Sequence, residues 1–250
     1  MQFANLARTI VPKPMRQWLR DKQRRYRLQS IRTGTVDFGQ LRRLRPISSA
    51  FGFDRGLPID RYYIEQFLSA NGSDIRGRVL EMGDDSYTRR FGGDRVEKAD
   101  VLHVVEGNPR ATMVGDLTCC DHIPSDIFDC IIFTQTLQMI YDYSAAVRNL
   151  HRILKPGGVL LLTAHGISKI ARRQEIDDWG EYWHFTSQSF NRLLSERFPP
   201  SQLKIGVYGN VLAAIAYLHG LAAEELDAEE LNSLDPDFEV LVTARAVKSA

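Results

Sequence analysis

The side chains able to do chemistry in this 250-residue chain fall just after a succession of short apolar runs. Glu81-Met82-Gly83-Asp84-Asp85-Ser86-Tyr87 ends the first run, Glu106 the second, Asp116-Leu117 the third and Thr134-Gln135 the fourth. In this order they suit a nucleoside ligand. A carboxylate at Glu106 can accept hydrogen bonds from both ribose hydroxyls. One at Asp116 can accept from an adenine amino group while the Leu117 N–H donates to a ring nitrogen. Gly83 lets the backbone come close to the ligand. Each residue taken singly is ordinary, because acids often follow strands or cap helices. The ordered set is the signal.

Candidates for a catalytic base come next: His165 directly after the fifth run, then Asp177, Asp178, Glu181, Tyr182 and His184 within DDWGEYWHFT. An acceptor hydroxyl gains from a base that removes its proton, and imidazole does this near neutral pH. His165 is the first choice and His184 the second. A strand-end histidine bonded to backbone is the competing reading of His165. Trp179, Tyr182, Trp183 and Phe185 form an aromatic cluster. It reads as a packed lid, or as a surface that stacks on a sugar or an aromatic acceptor. In FGFDRGLPIDRYYIEQF, Arg61 or Tyr62 can meet a ligand carboxylate, and Tyr63 reads as a surface residue of a helix. No metal site is expected. Asp84-Asp85 and Asp177-Asp178 are adjacent acids of the kind that cap turns, and Cys119, Cys120 and Cys130 match no zinc spacing.

These residues need a scaffold that brings the ends of the runs to one rim. RVLEM (78–82), DVLHVVE (100–106), ATMVGD (111–116), FDCIIFTQ (128–135) and GVLLLTA (158–164) are short and do not alternate. They read as parallel strands buried on both faces. Between the last two, Ala145, Ala146, Leu150, Ile153 and Leu154 follow a helical period, and Lys155-Pro156-Gly157-Gly158 closes that helix and opens the next strand. A helix over 60–72 starts at Asp60 as its cap, and Thr186 caps another that ends at Pro199. Residues 203–209 read as a strand, 210–226 as one long helix and 237–247 as a last strand. The order gives an α/β doubly wound sheet, whose ligands bind beyond the carboxyl ends of the strands.

VLEMG, VVEGNP, GDLT, IPSDIFDCIIFTQTLQMIYD and LHRILKPGGVLLLT together resemble the class I S-adenosylmethionine-dependent methyltransferases, most closely over residues 60–165. The resemblance implies a Rossmann-like, seven-stranded, mostly parallel sheet with an antiparallel last strand and helices on both faces. It implies S-adenosyl-L-methionine as cofactor. On that likeness Glu81, Gly83, Asp84, Asp85 and Tyr87 surround the methionine part, with Arg61 or Tyr62 closing over it. Glu106 takes the ribose, Asp116 and Leu117 the adenine, and Thr134 and Gln135 lie beneath the sulfonium. The family's first loop is Gly-x-Gly-x-Gly, whereas this chain has Gly83-Asp84-Asp85-Ser86-Tyr87. Either Asp85 and Tyr87 replace backbone contacts with side-chain ones, or the domain has lost the cofactor. The presence of Glu106 and Asp116 favours the first. The absence of Gly-x-Gly-x-x-Gly argues against a nicotinamide cofactor.

A closer likeness runs through GFDRGLPIDRYYI, GDDSYTRRFGGDRV and EYWHFT. These stretches resemble bacterial methyltransferases associated with glycosyltransferases of cell-surface polysaccharide and glycolipid assembly. That implies O-methylation of a sugar hydroxyl in a glycan or glycolipid. Two alternatives stay open: O- or N-methylation of a small natural product, and a non-catalytic scaffold with an altered glycine loop.

Charge is unevenly placed. Residues 1–50 carry twelve Lys/Arg against two acids, net +10, and the remainder carries twenty against twenty-nine, net −9. We read 1–50 as a basic arm and 51–250 as the methyltransferase domain. In the arm, Met15, Trp18, Leu19 and Tyr26 share a helical face ringed by Arg16, Arg20, Arg24 and Arg27. That pattern fits a solvated helix packed on the body, or a peripheral anchor on an anionic membrane. The near-zero total charge gives no expectation of nucleic-acid binding. No run reaches transmembrane length, and the start lacks a secretory signal. The expected setting is cytoplasmic, with a possible station at the inner membrane face.

Overall fold

The computed structural model describes residues 34–171 and 180–249, together with Met15. The remainder of the arm helix expected around Trp18, and the residues Asp177, Asp178 and Trp179, lie outside the described residues. The chain divides into two compact units, Met1–Leu44 and Arg45–Ala250. In the first, the described residues include a 3-10 turn at Gly39–Leu41, with Arg42 over the Phe38 ring. In the second, the Ile47 and Ser48 N–H groups both donate to His219 O, which ties this stretch to the unit that begins at Arg45.

The second unit is built on a seven-stranded sheet. Its strands are β1 (Gly77–Met82), β2 (Val96–His103), β3 (Met113–Val114), β4 (Phe128–Thr134), β5 (Leu154–His165), β6 (Leu203–Tyr208) and β7 (Leu241–Val247). They run in the order β3-β2-β1-β4-β5-β7-β6. The pairs from β3 to β5 are parallel, and β7 lies antiparallel between β5 and β6. This is the mostly parallel sheet with one antiparallel last strand that the resemblance implied.

Among the described residues of this unit, five α-helices cover its faces: α1 (Ile59–Ala70), α2 (Tyr143–Ile153), α3 (Ser187–Ser195), α4 (Val211–Leu218) and the short α5 (Ala228–Asn232). Strand side chains alternate faces, so an unbroken apolar run feeds both sides at once. Leu80, Ile131, Phe133, Leu160 and Leu162 pack on Leu150 and Ile153 of α2 and on Phe190 and Leu194 of α3. Val79, Cys130, Ile132 and Leu161 pack on Ile64 and Leu68 of α1 and on Ala213 and Tyr217 of α4.

The elements differ from the sequence expectation at their ends, each time for a local reason. Pro58 sets the extended residue before α1, so the helix begins at Ile59 and Asp60 falls in its first turn, buried, instead of capping it. Tyr63 is not at the surface. It shares a helical face with Ile59 and Phe67, stacks on Tyr208 at 5.3 Å, and donates to Leu231 O at 2.8 Å. The second strand starts at Val96 and stops at His103, short of Glu106, where the His103 ring meets Val105 O at 2.8 Å in a turn. Lys155-Pro156-Gly157-Gly158 is a bulge inside β5: Leu154 pairs with Phe128 and Val159 with Cys130. The long helix expected over 210–226 ends at Leu218. Gly220 turns at φ +69°, and a Cβ there would lie 2.3 Å from Ser48 O. The last strand begins at Leu241 because Phe238 N–H closes a turn onto Asp235 O.

Ile132 sits on central β4 with no exposed surface. Ile132→Ala removes packing that the neighbouring strands cannot refill. It is expected to lower unfolding stability by about 2–5 kcal/mol, read from the midpoint of urea denaturation.

Candidate active site

A cavity of about 980 Å³ opens at the carboxyl ends of the parallel strands. Met82 and Gly83 from the end of β1, His103 and Val104 from β2, and Gly115 to Thr118 after β3 form one wall. Gln135, Thr136 and Gln138 after β4, and His165 at the end of β5, form the opposite one. Asp60 and Arg61 of α1 and Tyr217 of α4 close it from above the sheet. Gly83 turns at φ +79°, and the position its Cβ would take is open space, so the chain leaves β1 without filling the cavity.

Of the residues expected from sequence, Gly83, Arg61, Asp116, Leu117, Gln135 and His165 line this cavity. Asp116 is exposed and its Oδ1 accepts the Thr118 N–H at 2.8 Å in a tight turn. Leu117 is buried and its carbonyl accepts from Asn149 at 2.8 Å, which pins the loop to α2. Gln135 holds a left-handed backbone at φ +48°, uncommon for a residue with a side chain. Its N–H still donates to Thr163 O, so the strained residue is clamped by β5.

The structure places the other expected residues differently. Glu106 is exposed and lies three residues past the end of β2, outside the cavity lining. Thr134 is the last residue of β4, and its carbonyl accepts the Thr136 hydroxyl at 2.9 Å. Tyr62 turns to Asn232, at 3.3 Å from its side-chain oxygen. Asp84 holds the Ser86 N–H at 2.8 Å, and Asp85 pairs with Arg89 at 2.6 Å, beside a separate groove. Tyr87 packs on Phe91 and lies against Arg61. Arg61 itself is held charged: burial disfavours its cation, but Asp60 and Tyr87 more than offset that. Glu81 is buried beneath the loop. Its two oxygens accept the Tyr87 and Thr88 N–H groups, at 3.2 and 2.7 Å, so it anchors the loop that replaces the glycine pattern.

Sequence reasoning missed Asp60 and Gln138 as cavity residues. Both are almost fully buried. Gln138 donates to Gln135 at 2.9 Å and Gln135 donates to Asp60 at 3.4 Å, in a chain across the cavity. Asp60 Oδ1 and Gln138 Oε1 have no protein partner. Buried acceptors without partners are costly, so these two atoms call for a donor or a cation from a ligand. An S-adenosylmethionine, with an ammonium and a sulfonium beside a carboxylate that Arg61 can meet, fits that demand. The sequence marked Asp60 only as the acid at the start of the helix over 60–72.

Glu181, one of the candidates in the stretch after the fifth strand, organises both candidate bases. Its side chain is fully buried and its Oε1 contacts His165 Nε2 and, at 3.1 Å, His184 Nε2. Its Oε2 accepts the Ala171 N–H at 2.6 Å. Burial pushes its carboxyl up, but the hydrogen bonds from His165 and Ala171 outweigh this and hold it below the usual range. The two imidazole rings sit 4.8 Å apart.

A doubly wound sheet with a nucleoside-sized crevice at its carboxyl rim and a histidine–carboxylate group on one wall defines a class of ligand-binding enzymes. The sequence profile of the methyltransferase domain family matches residues 44–203, and the chain belongs to that family. Membership makes it an S-adenosylmethionine-dependent methyltransferase, with S-adenosylmethionine as cofactor. No curated protein matches the sequence. Among solved structures, the [4+2]-cyclase SpnF is 16% identical, with 78% of this chain and 85% of that one covered at a TM-score of 0.50. An S-adenosylmethionine-dependent methyltransferase from Mesorhizobium loti is 15% identical over 76% of this chain and 98% of its own, at a TM-score of 0.47. A phosphoethanolamine N-methyltransferase from Haemonchus contortus is 14% identical over 74% and 53%, at 0.49.

Burial raises the Glu81 carboxyl from 4.5 to about 7, against the opposing pull of the Thr88 and Tyr87 N–H groups. A folded-state value above the unfolded one means that stability is full below about pH 4.5 and falls as pH rises to about 7. The shift corresponds to about 3 kcal/mol. Glu81→Gln removes this titration. The stability of the variant relative to the native chain is therefore expected to rise across that window, measured by denaturant unfolding at several pH values. A constant difference would show that Glu81 is not the titrating group.

Proposed function

We propose that this chain transfers a methyl group from S-adenosylmethionine to a sugar hydroxyl in a cell-surface glycan or glycolipid. The observation that carries the reading is the cavity itself: Arg61 and two unpartnered buried acceptors, Asp60 Oδ1 and Gln138 Oε1, share its lining with His165, which Glu181 and His184 adjoin. The first set suits the charged methionine part of the donor, and the second faces the place left for an acceptor. Asp116 and the Leu117 N–H take the adenine. Glu106 would reach the ribose only after the turn beyond β2 rearranges.

The chemical step is a displacement at carbon, and the sulfonium is already a good leaving group. Alignment of the acceptor oxygen therefore supplies most of the acceleration. As the oxygen attacks, its proton passes to an imidazole of His165 or His184, which Glu181 orients. Support for a sugar comes from the mouth of the cavity. Tyr141 and Tyr182 line it, are well exposed, and meet edge to face at 5.4 Å, with Trp183 5.8 Å from Tyr141. Such rings offer flat apolar surface to the C–H faces of a pyranose. The basic arm would bring the domain to anionic lipid carrying the acceptor at the inner membrane face. No helix among the described residues is long and apolar enough to cross a membrane.

The fold does not by itself compel methyl transfer, since a cyclase shares it. Titration calorimetry with S-adenosylmethionine and its demethylated product separates the readings. Binding is expected in the micromolar range, weakened at least about tenfold, or roughly 1.4 kcal/mol, by Asp60→Asn or Asp116→Ala. No heat at millimolar ligand from folded protein would leave only a scaffold. Radiolabelled methyl transfer to cell-envelope glycan fractions, set against small hydroxylated and amino compounds, then tests the acceptor class.

A further inference from the structure

His165, Glu181 and His184 carry a chemistry beyond orienting a base. One ligand atom from each lies within 4.8 Å of the others, and no other trio of His, Cys, Asp or Glu among the described residues is so placed. We infer that these three side chains form a binding site for a divalent transition-metal ion in the cavity wall. Two imidazoles and one carboxylate make a borderline nitrogen–oxygen donor set. It favours zinc, manganese, iron, cobalt or nickel over magnesium and calcium, which take oxygen ligands.

Four further observations support the site. A metal about 2.0–2.2 Å from each donor needs the donors roughly 3–4 Å apart, so the existing spacing is met by small side-chain rotations. The Glu181 side chain is fully buried, and a carboxylate there requires a cationic partner. Its second oxygen is already held by the Ala171 N–H at 2.6 Å, the kind of outer contact that orients a ligating carboxylate. His165 is placed by the last residue of β5, paired with Leu241 of β7, so one ligand stands on rigid sheet.

Three protein ligands leave at least one coordination position free. His165 and Tyr182 both line the cavity, so that position lies beside the space for the acceptor. A hydroxyl bound there becomes more acidic and gives its proton to solvent at the cavity mouth as its oxygen attacks the methyl carbon and the sulfonium leaves as a thioether. An imidazole nitrogen on a metal is not a base, so the base role of His165 or His184 belongs to the metal-free chain and solvent takes the proton when a metal is bound. Metal binding stands apart from donor binding, and the two are separable by measurement.

The full chain is stripped with a chelator, dialysed, and titrated separately with zinc, manganese and cobalt(II) by calorimetry, with the visible absorption of the cobalt form recorded. One equivalent per chain is expected, with cobalt bands of a nitrogen–oxygen site. His184→Ala and Glu181→Gln, checked for fold by circular dichroism, are expected to weaken uptake by roughly a hundredfold, a loss of about 2.7 kcal/mol. Folded native chain that takes up none of the three metals stoichiometrically overturns the inference, as does unchanged affinity in both variants. S-adenosylmethionine titrated into the same stripped samples reports separately on the donor site: metal uptake without donor binding leaves this inference standing and removes the reading of the previous section.

Discussion

Burial of both sheet faces is the constraint on which the molecule depends. Ile131 and Ile132 on β4, and Leu160 and Leu161 on β5, point to opposite sides and are all without exposed surface. A strand in that position has no solvated edge or face on which to carry polar chemistry. The only places left for it are the ends of the strands, where the ladder stops and the chain must turn. Parallel pairing from β3 to β5 puts all those carboxyl ends on one rim, which is why residues far apart in sequence meet in one cavity.

The rim also stores local strain and unmet polarity. Gln135 keeps a left-handed backbone directly after β4, while Asp60 Oδ1 and Gln138 Oε1 are buried without partners. Both features cost stability, and the unpartnered oxygens are satisfied by a ligand that offers donors or positive charge. The altered glycine loop follows the same logic. A loop with Asp85 and Tyr87 in place of glycines cannot wrap its backbone around a ligand as closely. Here Glu81 pins it from below through two N–H groups, and the ligand-facing polarity comes instead from α1, through Asp60 and Arg61.

Glu181 joins the two halves of the site. It lies beyond β5 in the sequence, yet its neighbour Tyr182 donates its N–H to Gln138 O, and its own carboxylate reaches His165 at the end of β5. One buried acid therefore couples the segment after β5 to the sheet and to both histidines. Whether it holds a proton acceptor in place or a metal ion, the electrostatic demand is the same: a carboxylate removed from water needs positive charge beside it.

The sequence by itself determined the sheet, its helical layers and the family. Unbroken apolar runs at regular intervals leave few alternatives to parallel strands buried on both faces, and the residues that end them define the rim. It determined Gly83, Asp116, Leu117, Gln135 and His165 as rim residues for the same reason, since each lies within three residues of a strand's end. Only the tertiary structure decided what stands opposite. Asp60 sits on a helix before the first strand and reads in sequence as its cap, Gln138 lies in a turn that no local pattern marks, and Glu181, though a candidate by sequence, lies beyond β5 with its role as the partner of both histidines unreadable. Their place follows from how α1 and the segment after β5 pack across the rim. The same packing turned Tyr62 toward Asn232 and buried Tyr63, because a helix shows its partner one face only, and which face is set by what it packs against.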